Sequence, residues 1–276
     1  MTKLFPFLLL LGLAWAQEVR VAAASDLLYA LEEVRTAFLR AHPEVRVTMI
    51  FGSSGKLYTQ ILQGLPVDLF LSADERYPRF LEERGLAEAG TRIPYALGRL
   101  ALWVRKDLGL DPAQGPTLLR SPKARGLALA NPVHAPYGRA AATLLERYGL
   151  LRRRVGPNLP WEALPWERGL EALYDPTPLK EGKESFTFLY GENASQAAQL
   201  ALKGPGVGLI PLSLVQSPAL EGAGGHWVAP MEAHLPLLQV SLVLKGRGRP
   251  EVLAFQRFLV GPEGRAILQR DGFGLP

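Results

Sequence analysis

Four short stretches of the chain place neutral hydrogen-bond donors where an apolar run gives way to a helix start. Ala22-Ala23-Ala24 is followed by Ser25-Asp26, and Phe51-Gly52 by Ser53-Ser54. In the second half, Asn131-Pro132 leads through His134 and Ala135 to Pro136-Tyr137-Gly138, and Gly191-Glu192-Asn193 leads into Ala194-Ser195. A helix N-terminus presents unpaired N–H groups and a partial positive charge, and a serine hydroxyl adds a further donor. Four such starts converging on one cleft would make a neutral cage for an oxyanion. The plainer role of Ser25 and Ser54 is to cap their helices, the commonest task of serine at such places. Spacing alone leaves both roles open.

Other chemistries are poorly supplied. Gly52-Ser53-Ser54-Gly55 is not the Gly-x-Ser-x-Gly turn of a serine hydrolase. A triad of Ser54, His134 and an aspartate can be drawn, but nothing in the sequence puts His134 beside a serine, and no catalytic residue is expected. Ser54-Gly55-Lys56-Leu57 has the wrong glycine spacing for a phosphate loop, with Leu57 where Ser or Thr is required. No cluster of histidines and carboxylates has the spacing of a cation site, so metal is expected only as an oxyanion, and no cofactor is expected. The absence of cysteine excludes disulfides, thiolate metal sites and a lipid-modified cysteine anchor. The net charge of +5 is spread along the chain apart from Arg152-Arg153-Arg154. That distribution does not read as a nucleic-acid stripe, although mild positive charge aids encounter with anions.

The elements that must position these junctions follow from periodicity. Val19 to Ala24 reads as a strand, then Leu27, Leu31, Val34 and Phe38 recur at helical spacing until His42-Pro43. Val45, Val47, Met49 and Phe51 alternate with Arg46, Thr48 and Ile50 as a second strand. A helix carrying Leu57 and Ile61 follows, then a strand over Asp68 to Ser72 and a helix from about Tyr77 to Leu86. The βαβαβα order implies a parallel sheet flanked by helices. The pattern restarts after Gly98, with strands at Leu100–Val104, Leu127–Asn131 and Val207–Ile210 and helices at Pro136–Tyr148 and Ser195–Lys203. Leu237, Val240, Leu242 and Leu244 read as a returning strand, and Val252 to Leu268 as two closing helices. In open α/β sheets, ligands sit at the carboxyl ends of strands, which is where the four junctions fall.

At the N-terminus, Lys3, the apolar run Leu4 to Leu13 and Ala14-Trp15-Ala16 have the order of a cleaved signal peptide, residues 1–16. The remaining chain is then expected in the periplasm or external space.

Seven stretches together resemble the molybdate-binding proteins of ABC transporters. They are Ala22 through Leu27, Gly52 through Leu57, Asp68 through Asp74, Asn131-Pro132 through Gly138, Gly191 through Gln196, Gly206-Val207-Gly208 and Asp271-Gly272-Phe273. The resemblance implies an α/β, two-lobed type II periplasmic-binding-protein fold in which each lobe is a mostly parallel sheet flanked by helices. Lobe one would comprise 17–97 and 232–276, and lobe two 98–231. It implies a monomer that captures molybdate or tungstate and delivers it to the permease subunits of an ABC importer. The family's ligand positions fall on the hydroxyls and amides of Ser25 and Ser54 and on the backbone amides of Tyr137 and Ala194. Two departures stand out. A ligand tyrosine of some members is matched by Pro211, which has no N–H to offer; that contact is then absent or comes from elsewhere, with Asn193 and Ser213 as the candidates. Residues 160–188 read as an insertion packed on the outer side of lobe two. The alternatives are another tetrahedral oxyanion, sulfate or phosphate, in the same fold and, remotely, a serine hydrolase. A cage without carboxylates would disfavour protonated phosphate.

Overall fold

The computed structural model describes residues 17–276, so the expected signal segment 1–16 lies outside the described residues. Twelve strands follow in chain order: β1 Gln17–Ala24, β2 Val45–Gly52, β3 Leu69–Ser72, β4 Ile93–Leu97, β5 Leu100–Arg105, β6 Gly126–Ala130, β7 Arg152–Arg153, β8 Tyr174–Asp175, β9 Thr187–Gly191, β10 Val207–Pro211, β11 Gly224–Val228 and β12 Leu238–Val243. They form two five-stranded sheets, ordered β2-β1-β3-β12-β4 and β11-β5-β10-β6-β9, with β7 and β8 as a separate pair. Helices flank both sheets, which gives the two-lobed α/β architecture.

Each sheet contains one reversed strand. In the first, β12 runs antiparallel to β3 and β4, while β1 pairs parallel with β2 and β3. In the second, β5 runs antiparallel to β10 and β11, while β6 pairs parallel with β10 and β9. The reversed strand is in each case the first strand after the chain has crossed from the other lobe. Such a strand arrives from the opposite end of the sheet, so it can join only in the antiparallel sense.

Local chemistry explains the elements nearest the site. Leu31, Val34 and Phe38 share one buried stripe of the helix Leu28–Ala41, and Pro43 stops it at His42. Phe38 packs edge-on against Phe255 at 5.1 Å between ring centroids, a pair that adds about 0.5–1.5 kcal/mol beyond its buried area. β1 is buried from Val21 to Ala24 because its small residues lie between two sheet neighbours and under helices.

Residues 160–186 join the core of the second lobe. Trp166, Leu170, Leu173, Tyr174 and Leu179 are buried in the same cluster as Leu144 and Leu145 of the helix Pro136–Arg147. Glu146 of that helix accepts hydrogen bonds from Trp161 Nε1 at 3.0 Å and Tyr174 Oη at 2.9 Å, and pairs with Arg153. The expected boundary at Phe188 needs correction: Thr187 and Phe188 open β9, an edge strand of the second sheet paired with Gly126 and Leu127.

Candidate oxyanion site

The carboxyl ends of β1 and β2 point into the cleft, and the chain turns there into Ser25–Leu27 and the helix Ser54–Leu62. From the other lobe come the starts of the helices Pro136–Arg147 and Ala194–Lys203. All four junctions meet at one cavity of ≈ 10 Å³, lined by Ala24, Ser25, Asp26, Gly52, Ser53, Ser54, Ala73, Ala135, Pro136, Tyr137 and Ala194. This is the scale of a single water-sized group, too small for an organic solute.

The two serines do not cap their helices. Neither helix start has a side-chain cap bond. Instead, Ala73 N–H donates to Ser54 Oγ at 2.9 Å, and Ser195 N–H donates to Ser25 Oγ at 3.2 Å. Each hydroxyl oxygen is thus occupied as an acceptor, which leaves its proton for a third party at the cavity. Both serines are buried. Tyr137 and Ala194 stand at the second and first positions of their helices, where N–H groups have no intrahelical acceptor. Pro136 ahead of Tyr137 has no N–H, so Tyr137 presents the first donor of its helix. Gly138 permits this placement: a Cβ there would lie 2.0 Å from Ala130 O.

The four principal residues read from the sequence therefore converge. Asn193 and Ser213 do not line the cavity. Asn193 Oδ1 caps its own helix by accepting from Gln196 N–H at 3.0 Å and also accepts from Ser195 Oγ, while Ser213 Oγ donates to Asp26 O at 2.8 Å. Pro211 pairs with Leu100 at the end of β10, outside the lining. No lysine or arginine lines the cavity. Lys56 instead forms an exposed ion pair with Glu192 of the opposite lobe.

Two expectations need correcting. First, His134 does stand beside a serine, though not Ser54: its Nδ1 is 2.8 Å from Ser53 Oγ. His134 Nε2 lies 3.9 Å from Glu192 Oε2, beyond hydrogen-bond reach, and that carboxylate already pairs with Lys56. Burial and the nearby positive charges of Lys56 and Arg139 push His134 down to about 4, so the ring is neutral at physiological pH. Its backbone also holds the lobes together, with Gly55 N–H donating to His134 O at 2.9 Å. Gly55 is required at this approach, since a Cβ would meet Tyr77 Oη at 2.6 Å and His134 O at 2.7 Å. Second, the lining contains a carboxylate. Asp26 is fully buried, and burial raises it to about 6 against the lowering effect of bonds from Gln239 and Tyr137. Only the neighbouring serine signalled it in the sequence, where Ser25-Asp26 reads as cap chemistry.

Two α/β lobes that close on a small, donor-lined cavity through interlobe backbone contacts define a binding protein of the type II periplasmic class. The chain belongs to the bacterial extracellular solute-binding protein family, which it matches over residues 19–274. It is 30% identical to the molybdate-binding protein ModA of Azotobacter vinelandii over 264 residues, 95% of this chain and 92% of that protein. It is 30% identical to the molybdate-binding protein ModA of Rhodobacter capsulatus over 270 residues, 96% and 92% of the two chains. The solved periplasmic molybdate-binding protein of Azotobacter vinelandii superposes with a TM-score of 0.74 at 29% identity, covering 94% of this chain and 99% of that one. The sulfate-binding protein SubI of Mycobacterium tuberculosis shares the fold, with a TM-score of 0.66 at 15% identity, covering 93% and 86%. Among the described residues no helix is long and apolar enough to cross a membrane, and no group of histidines and carboxylates could hold a metal ion.

Proposed function

We propose that this protein captures molybdate, or the isostructural tungstate, outside the cytoplasm and presents it to the permease of an ABC importer. The observation that carries the reading is the pair Ser25 and Ser54, whose oxygens are satisfied by backbone N–H groups and whose protons remain to donate into the cavity. Their hydroxyls and amides, with the amides of Tyr137 and Ala194, supply about six donors and no cation. Hydrogen bonds to a charged acceptor contribute about 1.5–3 kcal/mol each. After desolvation of a dianion, such a cage supports roughly −8 to −12 kcal/mol, micromolar to nanomolar affinity. Several local dipoles share the charge, so no lysine or arginine is needed. Nothing in the mechanism makes or breaks a bond: residues 17–97 with 232–276 close against 98–231, and reopening releases the ion. Cleavage after residue 16 would free a soluble monomer, without a cysteine anchor.

Calorimetric titration of residues 17–276 with molybdate, tungstate, sulfate and phosphate in parallel tests the reading. Molybdate and tungstate should bind at least a hundredfold more tightly than the other two. Tighter binding of sulfate or phosphate would reassign the ligand.

A further inference from the structure

The cavity wall holds an acid that a cage of neutral donors does not need. Asp26 follows Ser25 directly and lines the same cavity, with only 1% of its surface exposed. Its Oδ2 accepts from Gln239 Nε2, and Tyr137 Oη lies near the carboxyl. Gln239 Nε2 lies 3.4 Å from Tyr137 Oη, and Gln239 Oε1 accepts from Tyr95 Oη at 2.7 Å. Oδ1 is buried and has no partner.

The groups facing Asp26 come from four elements, and all are uncharged. They are Tyr137 of the helix Pro136–Arg147, Gln239 of β12, Tyr95 of β4 behind Gln239, and Ser213, which donates to the Asp26 carbonyl. Burial and the neighbouring Asp26 charge push both tyrosines well above the ordinary phenol range, so they stay protonated. His134, whose ring lies against Ser53 of the lining, is neutral above about 4, and the buried Arg139 near Ala73 is engaged by Asp74. A dianion entering the cage therefore meets a buried carboxylate with no cation to offset it. Like charges in one site force one of them to take up a proton.

We propose that Asp26 couples anion capture to proton uptake: the filled cage holds the anion plus one proton, carried by the Asp26 carboxyl. Protonation removes the repulsion and turns the unpartnered oxygen into a donor. The inference rests on the oxyanion reading of the cavity and adds a stoichiometry to it.

The sign follows from linkage. With the lobes in contact the Asp26 carboxyl is raised to about 6, and a dianion beside it raises it further. The bound state then holds more protons above about pH 6, so affinity falls as pH rises through that window, up to tenfold per pH unit. Below it, the acid is protonated in both states and the dependence flattens.

Molybdate titrations from about pH 5 to about pH 8.5, in buffers of differing ionisation enthalpy, read the coupling directly. Wild type should take up close to one proton per molybdate near pH 7.5. Asp26→Asn, nearly isosteric, should bind molybdate more tightly at the alkaline end, with the Asp26-dependent pH slope gone. The ratio of the two proteins' Kd values cancels protonation of molybdate itself. Binding by wild type without proton uptake overturns this inference and leaves the oxyanion reading intact, even where Asp26→Asn fails to fold. No binding of molybdate, tungstate or sulfate at any pH overturns both.

Discussion

Arg139 and Asp74 face each other across the two lobes, Nη1 to Oδ2 at 3.6 Å, with 2% and 5% of their surfaces exposed. Neither of these two atoms has a hydrogen-bond partner, so their contact is coulombic. Arg139 is otherwise well held. Nε donates to Pro132 O at 2.8 Å, and Nη2 to Val133 O at 2.9 Å and to Tyr77 Oη at 2.5 Å. The guanidinium thus ties the loop that presents Tyr137 to the opposite lobe. Asp74 illustrates the cost of that burial. Desolvation raises its carboxyl above the usual range, although Arg139 and Arg76 pull it back.

Removing one member of such a pair strands a buried charge, whereas removing both is often close to neutral. Asp74→Ala should lower stability by about 3–5 kcal/mol in urea titrations, and adding Arg139→Met should not restore it fully, since Pro132 O, Val133 O and Tyr77 Oη lose their donor. A loss below about 1 kcal/mol for the single variant would show that the pair does not hold the closed form.

Ser25→Ala and Ser54→Ala should each weaken molybdate binding at least tenfold, about 1.4 kcal/mol or more. Ser54→Ala also orphans the buried Ala73 N–H, so its unfolding free energy should fall by about 1–3 kcal/mol. Calorimetry and thermal melts of the two variants separate these effects. Unchanged affinity in both would reduce the serines to acceptors for backbone groups.

Glu146 anchors 160–186 to the second lobe through Trp161 and Tyr174 and also pairs with Arg153 of β7. Glu146→Ala should cost about 2–4 kcal/mol of stability, since it leaves three donors in or near the core without their acceptor. Molybdate affinity should stay within about threefold, a change of under 1 kcal/mol. A hundredfold loss of affinity in a folded variant would make this segment part of the binding apparatus.

His134 gives the closed form an acid limit. Its value of about 4 lies below that of a free histidine, so between the two values the unfolded chain binds more protons. Stability therefore rises with pH across that interval and is lost as pH falls through it. The stability gap between wild type and His134→Gln should change by about 1–2 kcal/mol between about pH 6.5 and pH 4, to the disadvantage of wild type at the acid end. Denaturant titrations at the two pH values measure it; an invariant gap would contradict the neutral ring.

The junctions were legible because they combine a small-residue strand with serine, asparagine or proline at a helix start, each a local signal. The strands β1, β2, β3, β5, β6, β10 and β12 lie within a residue or two of their expected positions for the same reason. Five strands escaped, β7 and β8 because each has only two residues. β4 contains Pro94, which argues against a strand, yet it is an edge strand whose pairing with β12 shifts register between Gln239 and Val240. That shift skips Tyr95 and places it as the extra residue of a bulge, a device that re-aims side chains; here its hydroxyl reaches Gln239. β9 follows a run of charges and turn residues, and β11 begins Gly224-Gly225, so neither alternates. Asp26 and the Ser53–His134 contact stayed hidden because they depend on which lobe faces which, a long-range matter that local pattern does not carry.

The position of β12 has a consequence for the order in which the molecule can assemble. β12 lies between β3 and β4, and β4 has no other neighbour in its sheet. As the chain is synthesised, β4 therefore waits for about 140 further residues before its partner exists, while every pairing of the second sheet falls between Leu100 and Val228. The contiguous sheet can form first, and the sheet built from both chain ends last. Such distant closure is slow, because loop entropy is lost before the contacts that compensate it are made. A nascent chain of this design stays incompletely folded until almost its whole length has emerged.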